Sequence, residues 1–228
     1  MNDSLDILFE DNNIAVIKKP RGLAVQTGKS FEKDAVSMLK QHLKSDNPSI
    51  KGEPYVGVIH RLDQPVEGIV VFAKNSKAAA ALSAQVQSDV MNKHYIAEVE
   101  GILPDNGATE LRNRIYKSPK TKMAVIVDDM AEKVPEGVSV KDAILTYNVI
   151  EVHENSSVVE ISLKTGRFHQ IRAQFSNLGH PIIGDGKYGS PRKFTGGIAL
   201  CADSLTFRHP VTGKEMKFEI ACDFAQQR

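Results

Sequence analysis

Cysteine is scarce in this chain: Cys201 and Cys222 are the only two in 228 residues. Two thiols cannot form a disulfide framework, and the lack of a Cys-x-x-Cys pair argues against a zinc site. Both lie in or beside apolar runs near the C-terminus, so buried, unreactive thiols are expected. No apolar run approaches the ~20 residues that span a bilayer, so no membrane partner is expected. The opening Met1-Asn-Asp-Ser-Leu-Asp6 is acidic and lacks the basic start of a signal peptide. The expected compartment is the cytoplasm. Charge of neither sign prevails: the net charge of +1 neither demands nor excludes a nucleic-acid partner, because a balanced total can hide a basic face. His60, His169, His180 and His209 include no pair at i, i+4 spacing, and no His-Glu-x-x-His occurs. No metal is expected. Internal repeats and low-complexity tracts are absent as well.

What is present is ordinary globular material. A chain with 41% hydrophobic and 25% charged residues is neither disordered nor fibrous, and its length suffices for an independent core. Residues 6–19 read as two short strands around a turn at Asp11-Asn-Asn13. Val36, Leu39 and Leu43 recur at helical spacing, which predicts a helix over 33–44. Ser76 is a candidate cap for a helix over 77–88, with Leu82 and Val86 on its inner face. Lys93 to Gly101 alternates like a half-buried strand and puts Tyr95, Ala97 and Val99 on one face. Residues 102–142 read as an irregular, inserted loop region. Strands are expected at 144–151, 157–164, 198–207 and 215–220. A helix is expected over 167–178, ended by Gly179. Many strands with three helices make an α+β fold with a mixed, mostly antiparallel sheet.

Two segments carry candidate chemistry. Val58-Ile-His-Arg-Leu-Asp63-Gln-Pro-Val-Glu-Gly68 is a polar loop between apolar strands. Function concentrates on loops held by a rigid scaffold, and Asp63 is a carboxylate placed on one, beside His60 and Arg61. The bland alternative is a surface turn with one ion pair. The second segment is Lys164-Thr-Gly-Arg167-Phe-His169-Gln170-Ile-Arg172, running on to Tyr188. On a helical wheel Phe168, Ile171, Phe175 and Leu178 form a stripe, and Arg172 falls about 80° from its centre. That makes Arg172 a boundary residue, with a surface arginine as the alternative. For His169 the alternative is a hydrogen-bonded structural histidine. Basic residues cluster twice, at Lys18, Lys19 and Arg21 and at Arg112, Arg114, Lys117, Lys120 and Lys122. Either cluster could be a solvated face or a phosphate contact.

Taken together, these segments resemble the RluA family of pseudouridine synthases. His60-Arg-Leu-Asp63 with Gly68 and the strand to Lys74 resembles its catalytic-aspartate motif. Gly166-Arg-Phe-His-Gln-Ile-Arg172 with Leu178-Gly-His-Pro-Ile-Ile-Gly-Asp-Gly-Lys-Tyr188 resembles its later motif. Ile14 to Leu23, Lys93-His-Tyr95 and His209 to Gly213 match its opening strand, tyrosine strand and closing turn. The resemblance runs in one order from about residue 7 to residue 220. Val66-Glu67, Phe168 and Cys201 depart from the residues usual in the family.

The resemblance implies the pseudouridine synthase catalytic fold, an α+β domain with flanking helices and a central RNA-binding cleft, as a single domain over 1–228. The small N-terminal RNA-binding module of many relatives is expected to be missing, because the chain starts directly at the catalytic domain. It also implies isomerisation of a uridine in ribosomal or transfer RNA, without a cofactor, by an expected monomer. Asp63 would attack covalently or abstract a proton. Arg172 would be its ion-pair partner, and Tyr95 would stack on the base and act in the final deprotonation. The uridine must be flipped out of its stack, and Arg61 would fill the space left. His60, His169, Gln170, Lys19 and Arg167 are the further candidate substrate contacts. A non-catalytic RNA-binding protein on the same fold is the alternative. A carboxylate-dependent hydrolase would need a second carboxylate, for which Glu67 and Asp185 are the candidates.

Overall fold

The computed structural model describes residues 4–28, 32–49, 51–88, 90–127, 134–222 and 224. The chain comprises two compact units. The first comprises Met1–Lys93 and Cys201–Arg228, the second His94–Leu200.

The first unit is organised around two strands that are apolar on both faces. Strand β1 (Asp6–Glu10) turns into β2 (Ile14–Lys19). The turn closes because the Asp11 carboxylate accepts the Asn13 and Ile14 N–H groups at 2.7 and 2.8 Å, the local bonding that makes aspartate a turn residue. Helix α1 (Ala35–Asp46) follows, with Asp34 and Ser37 forming a reciprocal capping box. A two-residue strand, β3 (Gly57–Val58), leads through the Asp63 loop into β4 (Glu67–Ala73), every residue of which is buried. β4 pairs antiparallel with β2, from Ile14 opposite Ala73 to Lys19 opposite Gly68. Its other edge pairs with β3 at Phe72 and Ala73 and, in parallel, with β10 (Leu200–Arg208) at Glu67 and Gly68. β11 (Glu215–Glu219) lies antiparallel to β10. Helix α2 (Ser76–Gln87) is capped by Asn75, whose side chain accepts the Ala78 N–H. The cap therefore falls one residue before Ser76, and Ser76 is the first helical residue. Ile14, Val16, Ile69, Val71, Leu82, Leu205 and Phe207 pack into one core. Each such side chain contributes roughly 1.5–3 kcal/mol by leaving water. The unit also encloses both cysteines as free, buried thiols.

The second unit is an antiparallel sheet with one helix. Its order is β5 (Asn92–Glu100), β9 (Ser156–Leu163), β8 (Lys141–Val152), β6 (Thr109–Lys117) and β7 (Ala124–Val127). The β6–β7 hairpin corrects the expected loop over 102–142. On β6 the inward positions are Thr109, Leu111, Asn113 and Ile115, only two of them apolar, while Glu110, Arg112 and Arg114 point to solvent. So polar an inner face hides the period of two. Tyr95, Ala97 and Val99 share the buried face of β5, as their alternation required.

Helix α3 (Gln170–Asn177) is shorter than the expected 167–178 at its start. His169, just before it, takes a left-handed backbone with φ of 50°, which excludes Phe168 from the helix. Gly179, at φ of 84°, ends α3 as expected. Leu178 lies outside the helix and is 39% exposed, so two members of the stripe predicted at this helix are not helical. From Gln170 to Phe175 every residue of α3 is buried.

The fold is thus α+β with a mostly antiparallel sheet, as read from the sequence. No described helix is long and apolar enough to cross a membrane.

Candidate active site

The loop bearing Asp63 is held by buried polar groups rather than by packing. Lys19 ends β2 and is fully buried. Its ammonium donates to the carbonyls of Pro20, Leu23 and Gln64 at 2.9, 2.8 and 3.3 Å. The Gln64 carbonyl also accepts the Gly22 N–H, and the Gln64 amide donates back to the Gly22 carbonyl. The Asp63 carbonyl accepts the Val66 N–H, which closes the turn. Asp63 itself is half-buried and Arg61 is exposed. A partly exposed carboxylate on an immobilised backbone suits chemistry on a large ligand.

Charge is concentrated around this loop. Burial pushes the Lys19 ammonium down to about 7; Asp63 and Glu67 pull it back up, and Arg21 pushes it further down. Arg21 and the buried Glu67 form an ion pair at 2.5 Å. Glu67 is therefore committed to Arg21 inside the protein and is poorly suited to act as the second carboxylate of a hydrolase. Gly68 sits at φ of 140°, and a Cβ there would meet Ala202 at 2.5 Å. Only glycine lets β4 and β10 approach this closely beside the loop.

In the second unit Arg172 lies on α3, 5% exposed. The boundary position read from the wheel understates its burial, because the wheel included Phe168. Its Nε and Nη2 donate to the two oxygens of Asp185 at 2.6 and 2.9 Å. This is the bidentate match that favours arginine over lysine. Asp185, weighed from the sequence only as a hydrolase carboxylate, is buried and serves the guanidinium. Its position between Gly184 and Gly186, on the turn after the helix, was the available signal. Tyr188 completes the group: its ring lies under the Arg172 guanidinium at 4.9 Å, and its hydroxyl meets His169 Nδ1 at 2.9 Å.

His169 stacks on Phe168 with ring centroids 3.8 Å apart, and Lys117 lies 4.4 Å from the Phe168 centroid. Burial and the nearby Arg172, Lys187 and Lys117 charges push the imidazole down to about 3, against the pull of Asp185. It is neutral. The Tyr188 hydroxyl also accepts the Ala124 N–H at 2.7 Å, which ties the His169 ring to β7. Gln170 is buried and braces the preceding loop. Its oxygen accepts the Thr165 hydroxyl and the Arg167 N–H, and its nitrogen donates to the Ile144 carbonyl. Arg167 is exposed and donates to the Asp142 carbonyl.

The strand geometry splits the second basic cluster. Arg112 and Arg114 point to one face of β6, while Lys117 shares the other face with Ile115 and lies over Phe168. Among the described residues, one group, Glu10, His42 and Asp46, brings potential metal-ligating atoms within 4.8 Å of one another. Ion pairs account for that cluster. His42 lies 2.7 Å from Glu10 and 3.2 Å from Asp46, and Lys74 engages the other Glu10 oxygen.

Comparison with known proteins places the chain in a family. Residues 13–177 match a family described as RNA pseudouridylate synthase. The chain is 31% identical to ribosomal large subunit pseudouridine synthase D of Zymomonas mobilis, over 94% of this chain and 68% of that protein. It is 34% identical, with the same coverage, to an RNA pseudouridine synthase of Bacillus subtilis. The solved structure of human RNA pseudouridylate synthase domain containing 4 superposes with a TM-score of 0.72 at 24% identity, covering 95% of this chain and 88% of that one, and shows the shared fold. The RluA resemblance of the five motifs is borne out: the chain belongs to the RNA pseudouridylate synthase family, isomerases that act on uridine in RNA.

Proposed function

We propose that this chain isomerises a uridine of ribosomal RNA to pseudouridine, with Asp63 as the catalytic carboxylate. The observation that carries the reading is the Asp63 loop, a half-buried carboxylate on a backbone pinned through Gln64 by the fully buried Lys19. In the reaction the N1–C1′ bond breaks, the base turns, and C5 is joined to C1′. Asp63 attacks as a nucleophile or removes a proton. Tyr95, buried on β5, stacks on the base and takes part in removing the C5 proton. Arg172, held in place by Asp185, is the third proposed catalytic residue. Arg61, exposed on the Asp63 loop, fills the gap left by the flipped nucleotide. Arg167 and His169 are proposed RNA contacts, while Lys19, His60 and Gln170 position them and the loop. The ribosomal substrate is supported by the name of the Zymomonas mobilis relative, and the enzyme is proposed to act as a cytoplasmic monomer.

A non-catalytic RNA-binding role is disfavoured by the number of buried polar groups spent on holding one carboxylate loop. The test is tritium release from C5-labelled uridine in a ribosomal large-subunit transcript, with a transfer RNA transcript beside it. Release from the ribosomal RNA that disappears in Asp63→Asn while RNA binding survives supports the reading. Equal release by Asp63→Asn overturns it, and release from transfer RNA alone moves the substrate class.

A further inference from the structure

β4 changes partner along one edge. Glu67 and Gly68 pair with β10, and Phe72 and Ala73 pair with β3. Between these stretches the Val71 N–H donates to the ring of His60, at Nε2, over 3.3 Å. A side chain thus takes the place of a strand at the fork in the sheet. This side chain stands three residues before Asp63, and the intervening Leu62 is buried.

The protonation state of the ring is dictated by its surroundings. Burial, reinforced by the Lys93 charge, pushes His60 down to about 3. The ring is neutral, and since Nε2 accepts, Nδ1 carries the proton. That N–H is buried and finds no hydrogen-bond partner among the described residues. An orphaned buried donor is unfavourable. An apolar side chain would fill the same space without it, so packing alone does not account for histidine. What the ring supplies, and an apolar residue would not, is the acceptor for Val71.

The two sides of Asp63 are therefore held differently. Downstream, Lys19 and Gly22 hold the Gln64 carbonyl. Upstream, the anchor is the His60–Val71 bond. We propose that His60 is a positioning residue of the isomerisation, a neutral strut that sets the Asp63 backbone against β4 through an acceptor at Nε2. The proposal rests on Asp63 being the catalytic carboxylate.

Glutamine places an amide oxygen near the position of Nε2, while methionine matches its length without a strong acceptor. His60→Met is expected to lower single-turnover tritium release at least tenfold, with RNA affinity within about twofold of wild type and faster exchange of the Val71 amide hydrogen. His60→Gln is expected to recover at least a third of the wild-type rate and to slow the Val71 exchange again. Wild-type turnover in His60→Met, or equal loss in the two variants, overturns the strut. If His60→Met does not fold, His60→Gln decides: a loss beyond tenfold overturns the proposal, and recovery with a protected Val71 amide sustains it. Asp63→Asn is measured alongside. Normal turnover in that variant sinks the catalytic reading whatever His60 does, whereas a dead Asp63→Asn beside a fully active His60→Met sinks the strut alone.

Discussion

Arg172 and Asp185 form a bidentate ion pair in the interior of the second unit, at 2.6 and 2.9 Å, with their side chains 6% and 1% exposed. A buried pair of this kind is weak evidence for stability but strong evidence for orientation. The guanidinium is gripped along its Nε–Nη2 edge and lies over the Tyr188 ring. The direction in which Arg172 presents its charge is therefore set by Asp185 and Tyr188 together.

Asp185→Asn takes away the negative charge to which Arg172 Nε and Nη2 both donate. Asp185→Asn is expected to destabilise the protein by about 3–5 kcal/mol and to lower turnover more than RNA affinity. Denaturant unfolding and single-turnover kinetics check both parts. An unchanged rate in the folded variant would count against a role for Arg172 in the chemistry.

Acid should weaken the fold earlier than carboxylate titration alone predicts. His60 and His169 are both pushed from 6.5 down to about 3 in the folded state. Between those values the unfolded chain takes up protons that the native state refuses, so stability falls as pH drops. Glu10 contributes only lower down. Burial opposes its ionisation, but Lys74 and His42 outweigh this and hold the carboxyl below 4.5. Unfolding measured from pH 7 to pH 5 is expected to lose stability steadily, with a shallower slope in His60→Gln.

Lys19 separates stability from activity on the alkaline side. Its folded value of about 7 lies below the ordinary 10.5. Between the two, the unfolded state binds the extra proton, so this residue makes stability rise with pH. Over the same range the ammonium that donates to the Gln64 carbonyl is discharged. Turnover is expected to decline above pH 7 while thermal stability does not. Lys19→Met should remove the pH dependence at a lower plateau rate.

Gly68 is the position where backbone conformation and space both exclude a side chain. Gly68→Ala would place a Cβ within 2.5–2.6 Å of Ala202 side-chain and backbone atoms, at φ of 140°. A loss of several kcal/mol, on the order of an overpacked core with added backbone strain, is expected. Thermal melting and tritium release should fall together, because the displaced strand leads directly out of the Asp63 loop.

Local pattern and tertiary context divide the determination of this protein between them. Ile14 to Ile17 and Ile69 to Ala73 are apolar without interruption, and such runs are buried strands wherever the chain folds. The polar Asp63 loop between two of these runs, the alternation that buries Tyr95, and the five ordered motifs that name the family were all legible in the linear sequence. The β6 strand was not, because its inner face carries Thr109 and Asn113 and its period is masked. Nor was the start of α3, where His169 adopts a left-handed backbone that local propensity opposes. The Lys19, Arg172 and His60 environments lay beyond any local reading. A charged or polar side chain looks the same in sequence whether it faces water or the interior. Only the packed fold brings Gln64 to Lys19, Asp185 to Arg172 and Val71 to His60, and makes their burial tolerable.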